Sequence, residues 1–333
     1  MGIDIEIGLN NLINVCAGVK KNDSVLIIAD YDTSSLAELV LSNIMQITDN
    51  AKLEIISPLN QHGSEPPQKI ADRMLESSVI FGLTRMSMAH SNARKNATLN
   101  HARYLSLPDY SLDVLSRPAM RADFKAITAK AEWLKRIFTI GNSLVIKSNL
   151  GTNIRCNISG RNANAAPGWC GNGFEMASPP DAEVNIAPIE NHSNGIIIVD
   201  GSIPYPNFGL IKAPLSIDVE NGKIKSVNGY NAKAYMNIYD NIALPGMKTL
   251  AEIGVGLNPY AKLCGAMLED EGCLGTLHFG FGSNITIGGL NDVGFHLDHI
   301  MKNPTIIVDG QTIIDKGKIA YFDDITSDIP VTY

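Results

Sequence analysis

The first hundred residues alternate short apolar runs with amphipathic ones. Ser24-Val25-Leu26-Ile27-Ile28-Ala29-Asp30 is apolar almost throughout and ends in an acid, the pattern of a strand covered on both faces. Thr33-Ser34-Ser35 then offers an N-cap to residues 36–45, where apolar positions recur at helical spacing. Residues 53–56 and 78–83 predict two further strands with a helix over about 68–76 between them, and residues 102–107 predict a fourth strand. Strands alternating with helices imply a doubly wound parallel sheet. A mostly helical stretch follows from about 109 to 141, and the pattern then changes to short strands at 143–148, 152–158, 195–200 and 215–220. Asn221-Gly222, set between two alternating runs, is a hairpin signal because both residues tolerate positive φ. The expected fold is therefore α/β plus a β-rich second domain. Residues 1–140 form a Rossmann-like unit, and residues 141–333 form an antiparallel-rich α+β domain that carries the chemistry.

Composition narrows the function classes. The chain has 333 residues and a formal charge of −7, with 45% hydrophobic and 18% charged residues. That is too apolar for disorder, and a mean hydropathy of +0.03 is too polar for a membrane protein. Basic residues nowhere run beyond a pair such as Lys20-Lys21, so neither nucleic acid nor a membrane surface is an expected partner. Five scattered cysteines without a CxxC fit reduced thiols, and no basic-then-apolar leader is visible; a cytoplasmic protein is expected. GxGxxG and GxxxxGK[ST] are both absent, so the first half has no nucleotide motif. Asp30-Tyr31-Asp32 reads first as a helix cap. GxSxG is absent too, and Cys170 has no histidine placed to activate it.

The chemistry-bearing residues gather in the second half beside glycines and prolines. In Gly294-Phe295-His296-Leu297-Asp298 the histidine and aspartate project from one face of a strand, which is either a metal-ligand geometry or a surface pair. His278 lies in the glycine-flanked run 274–282, as a ligand or as a core histidine bonded to a carbonyl. Before it stands Glu269-Asp270-Glu271, a ligand source or a solvated helix end. Glu183 and Glu252 stand alone in apolar or turn-like contexts, and a buried carboxylate requires a partner or a metal. Imidazoles with carboxylates suit Zn, Co, Mn or Fe(II).

In order along the chain, the 83–95 stretch (LTRMSMAHSNARK), PPDAEVNIAP, AEIGVGLNP, LEDEGCLGTLHFGFG and FHLD resemble the thermophilic metalloaminopeptidases, aminopeptidase T and its relatives. The resemblance implies a homodimeric, dinuclear hydrolase of N-terminal peptide or related amide bonds. It implies Glu183, Glu252, Glu271, His278, His296 and Asp298 as metal ligands, with Glu269 or Asp270 as alternatives to Glu271. Glu183, if not a ligand, is the candidate catalytic base. The tyrosine that follows the histidine in those peptidases is missing, and the chain is shorter than they are. The chain also resembles the 2,5-dihydroxypyridine 5,6-dioxygenases, mononuclear Fe(II) enzymes of similar length with a Gly-Gly pair before HLD. In these the position of Glu252 is histidine, and the counterparts of Glu183 and His278 are lost. The retained residues place the hydrolase first among the expectations and the ring-cleaving dioxygenase second.

Overall fold

The computed structural model describes residues 2–320; residues 321–333 of the expected second domain lie outside the described residues. The chain divides into two compact units. One runs up to Lys125 and takes back residues 166–182; the other holds residues 126–165 and the chain from Glu183 onward. A single crossing near residue 140 is thus replaced by three. The helix Phe124–Ile140 lies almost wholly in the second unit, while the strand Met176–Ala177 pairs with Arg103–Ser106 in the first.

The first unit is built on a parallel five-stranded sheet. Its order is Ala51–Ile55, Val25–Ala29, Val79–Leu83, Arg103–Ser106 and Met176–Ala177. Val25–Ala29 and Val79–Leu83 are buried along their whole length, which is why their sequence is uniformly apolar. Helices Ser34–Ile44, Gln68–Leu75 and Asn92–Leu99 occupy the connections, and Ile70 and Met74 join Leu26, Ile28, Ile80 and Tyr104 in one core. The expected cap is not formed: the N-cap of helix Ser34–Ile44 is Thr33, without a side-chain cap hydrogen bond, and Asp30 serves as a tie instead. Its Oδ1 accepts from the Thr33 amide and its Oδ2 accepts from the Arg85 amide at 2.6 Å, tying together the chain segments that leave two adjacent strands.

The second unit contains two large sheets. The eight-stranded one runs in the order Lys223–Gly229, Leu215–Glu220, Ser193–Val199, Asn153–Asn157, Ser143–Lys147, Thr305–Val308, Gln311–Asp315 and Lys318–Ile319. Its predicted hairpin is present, with Asn221 at φ 49° and Gly222 at φ 71°. The seven-stranded sheet places four antiparallel strands side by side: Glu183–Ile186, Leu250–Gly256, Thr276–Gly282 and His296–Lys302. One of its faces is apolar, with Ile253, Leu277, Phe279, Phe281 and Leu297 all buried. On this side His299 meets Phe281 and Tyr235 edge-on, and Tyr235 and Tyr239 share a buried hydroxyl–hydroxyl hydrogen bond of 2.8 Å. Among the described residues no helix is long and apolar enough to cross a membrane.

The hairpin turn admits only glycine at its second position. A Cβ on Gly222 would lie 1.6 Å from the Glu190 carbonyl oxygen, and its φ is left-handed. Gly222→Ala is expected to lower stability by about 2 kcal/mol or more in urea unfolding. An unchanged midpoint would contradict this turn geometry.

A candidate metal centre on the glycine-lined sheet face

Register across the four adjacent strands determines which side chains share the second face. Glu183 is paired with Gly256, and Asn185 with Gly254. Gly254 is paired with His278, and Glu252 with Gly280. Gly280 is paired with Asp298, and Gly282 with His296. Paired residues point the same way, as do residues two apart, so Glu183, Glu252, His278, His296 and Asp298 all stand on one face with glycines between them. The glycines are required by volume. A Cβ on Gly254 would lie 2.0 Å from His278 Nε2, and one on Gly280 would lie 2.6 Å from His296 Nε2 and 2.9 Å from the Glu252 Cβ. Both imidazoles therefore lie across the backbone of a neighbouring strand.

Two groups of potential ligands result, and Glu252 belongs to both. His278 Nε2 lies 3.1 Å from Glu183 Oε2 and 3.7 Å from Glu252 Oε1. His296 Nε2 lies 3.3 Å from Glu252 Oε2 and 3.2 Å from Asp298 Oδ1. The first group is buried throughout, whereas the His296 side chain is 32% exposed and opens the second group to solvent. His296 Nδ1–H donates to the Ser283 carbonyl at 2.8 Å, which leaves the Nε2 lone pair facing the carboxylates. Asn185 donates to Glu183 Oε1 at 2.7 Å and accepts from Asn164 at 3.1 Å.

Charge and hydrogen bonding fit a cation. Burial opposes protonation of both imidazoles, but Glu183 and Glu252 carry the His278 pKa well above its ordinary value, and Asp298 and Glu252 do the same for His296. Burial likewise opposes ionisation of the carboxylates, yet His278 and His296 pull Glu252 down to about 2, and His296 holds Asp298 well below the usual carboxylate range. Glu183 Oε2 and His278 Nδ1 are buried without a hydrogen-bond partner of good geometry. Three carboxyl groups, one of them holding an orphaned acceptor, and two imidazoles form a mixed N/O donor set suited to a divalent ion of the iron-to-zinc series.

The structure thus brings together five of the six residues named from sequence and leaves Glu271 outside both groups. Glu269 and Asp270 do not form a solvated helix end. They are buried and turn back onto the preceding loop, Glu269 accepting from the Lys262 amide and Asp270 from the amides of Cys264 and Gly265. The carbonyl-bonded core histidine is His299, whose Nδ1 meets Phe279 O at 2.9 Å, and His278 has no such bond. Burial depresses the His299 pKa to about 4. Asn185 and Ser283 were not foreseen. Asn185 was discernible only as the residue two positions beyond Glu183, and a backbone carbonyl leaves no signal in sequence.

Two expectations follow. The raised imidazole pKa values contribute stability below about pH 6.5, and this is lost as pH rises through the folded-state values. The depressed carboxylates act oppositely, their contribution being lost only as pH falls below about 4. Metal-free protein should therefore melt at lower temperature as pH is raised from 6.5, and Fe(II) or Mn(II) should flatten that slope by replacing the proton on His296. A melting temperature independent of pH and metal would contradict the cluster. Gly254→Ala should weaken divalent-metal binding by about tenfold or more while the far-ultraviolet circular dichroism persists; unchanged affinity would show that His278 does not lie over that glycine.

Comparison with known proteins separates the two activities that the sequence motifs left in order. A curated 2,5-dihydroxypyridine 5,6-dioxygenase of Pseudomonas putida is 24% identical over 263 residues, covering 75% of this chain and 73% of its own. The structure of the 2,5-dihydroxypyridine dioxygenase from Pseudomonas putida KT2440 superposes with a TM-score of 0.81 at 16% identity, covering 95% of this chain and 96% of that one. Wild-type AmpT from Thermus thermophilus superposes with a TM-score of 0.65 at 14% identity, covering 95% and 99%. At such identities these superpositions show a shared fold. The family NicX, 2,5-dihydroxypyridine 5,6-dioxygenase, matches residues 15–321. This overturns the expectation of a hydrolase, aminopeptidase or metalloprotease: the ordered motifs marked a common scaffold and its polar face, and the peptidase activity does not follow from them. The chain belongs to the NicX, 2,5-dihydroxypyridine 5,6-dioxygenase, family.

Proposed function

We propose that this protein is a metal-dependent dioxygenase that opens a hydroxylated aromatic or N-heteroaromatic ring. The observation that carries the reading is the Glu252–His296–Asp298 group, the more open of the two, in a chain matched to a dioxygenase family over residues 15–321. These three residues would hold the ion; non-haem Fe(II) oxygenases use two imidazoles and one carboxylate with open positions, and here Glu252 stands in place of the second imidazole beside His296 and Asp298. When bound, iron supplies the electron-transfer chemistry that lets dioxygen react with an electron-rich ring.

The chain's own residues prepare that site. Ser283 O holds the His296 ring in the tautomer that directs Nε2 inward. Gly280 leaves the volume in which the His296 and Glu252 side chains approach each other. His278 faces Glu252 Oε1, so a proton held at His278 offsets part of the negative charge that a glutamate ligand brings to the ion. Glu183 keeps that proton in place, and the amide of Asn185 keeps Glu183 in place. Ionisation of a ring hydroxyl makes the ring electron-rich, and the buried Glu183–His278 pair would serve as the acid–base couple for it. Among the described residues no cysteine forms a disulfide, which supports a reducing, cytoplasmic setting.

The test is oxygen uptake by anaerobically purified, Fe(II)-loaded protein on a panel of dihydroxypyridines, catechols and hydroquinones. Uptake with at least one of them is expected, falling by about a hundredfold or more in His296→Ala. No uptake with any member of the panel, or full uptake in His296→Ala, would overturn the proposal.

A further inference from the structure

The His296 ring is oriented by a loop whose apolar anchorage lies at its far end, where Phe295 meets Tyr239 edge-on at 5.5 Å. Its Nδ1–H bonds to Ser283 O, and Ser283 opens the segment 283–295. The short 3-10 turn Ile285–Ile287 in that segment buries no residue, and Leu290 is 80% exposed. Polar contacts hold the segment instead. Asn284 is fully buried, accepts from the Asn291 amide at 2.8 Å and donates to Glu190 Oε1 at 3.0 Å. The Leu290 amide donates to the same oxygen at 2.7 Å. Arg161 donates from Nη2 to Glu190 Oε2 at 2.6 Å and from Nη1 to Gly288 O at 2.5 Å. The Arg161 and Glu190 side chains are only 12% and 16% exposed, so their contacts are poorly screened. The Asn291 side chain then ties the segment to Gly282 O, at the end of the His278 strand.

We propose that the Arg161–Glu190 pair is a positioning device for the metal centre: by gripping the segment at Asn284, Gly288 and Leu290 it sets where Ser283 O stands, and so how His296 Nε2 is aimed. This rests on reading His296 as a metal ligand and does not depend on the reaction catalysed. Neither residue touches the ion; both act through His296. Outer partners of ligating histidines typically change metal affinity by about 10–100-fold when removed.

The experiment measures Co(II) alone, by its dissociation constant and visible d–d spectrum, in the full chain and in Glu190→Gln, Arg161→Lys, His296→Ala and the double variant Glu190→Gln/His296→Ala. Glu190→Gln should weaken Co(II) by about tenfold or more and alter the d–d bands. Arg161→Lys keeps the charge but loses the two-pronged grip, and it should fall between Glu190→Gln and the unmodified chain. In the His296→Ala background, Glu190→Gln should change affinity by no more than about twofold, because the route through the imidazole has been removed. Glu190→Gln that binds Co(II) with unaltered affinity and spectrum, or that weakens it equally with and without His296, overturns the proposal. If Glu190→Gln does not fold, the Arg161→Lys result decides by the same criteria. An unmodified chain that takes up no Co(II), or a His296→Ala that binds it equally well, overturns the metal reading and this inference with it.

Discussion

Everything at the centre depends on glycine backbone lying beneath the imidazole rings. Four strands present a flat face on which neighbouring Cβ atoms stand about 4.5–5.5 Å apart, too close for two imidazoles and three carboxylates to converge if every position carried a side chain. Gly254, Gly256, Gly280 and Gly282 alternate with the polar residues across that face. Gly254 and Gly280 let His278 and His296 lie over the neighbouring strands and reach Glu252 Oε1 and Oε2 respectively. The opposite face, filled by Phe279, Phe281, Leu277 and Ile253, supplies the rigid support that a polar cluster cannot provide for itself.

The strand and helix pattern was largely legible because each element has a local cause. Val25–Ala29 and Val79–Leu83 are uniformly apolar because they are covered on both faces, and Asn221-Gly222 turns because both residues take positive φ. HxD was legible as a same-face pair for the same kind of reason. The placement of Glu183, Glu252 and His278 beside it was not, since cross-strand register joins residues far apart in the chain. The return of residues 166–182 to the first unit was also hidden: the strand they contribute is two residues long and has no periodicity of its own. The acidic run 269–271 misled because a charged run usually faces water, whereas here two of its members accept backbone amides.

The correction from hydrolase to dioxygenase has a physical lesson. Motifs such as AEIGVGLNP and LHFGFG record the alternation of glycines and polar side chains on one sheet face, a packing feature that does not by itself fix a reaction. Which reaction follows depends on how open the ion is, how strongly each donor is charged and what reaches it. The more exposed His296 and the close approach of His278 to Glu183 and Glu252 bear on those properties, and neither is visible as a motif.

The most direct test is to locate the metal. Anomalous diffraction at the iron edge from crystals loaded anaerobically with Fe(II) should show an ion among Glu252, His296 and Asp298, in contact with His296 Nε2. Iron bound elsewhere, or none on this sheet face at saturating Fe(II), would contradict the account.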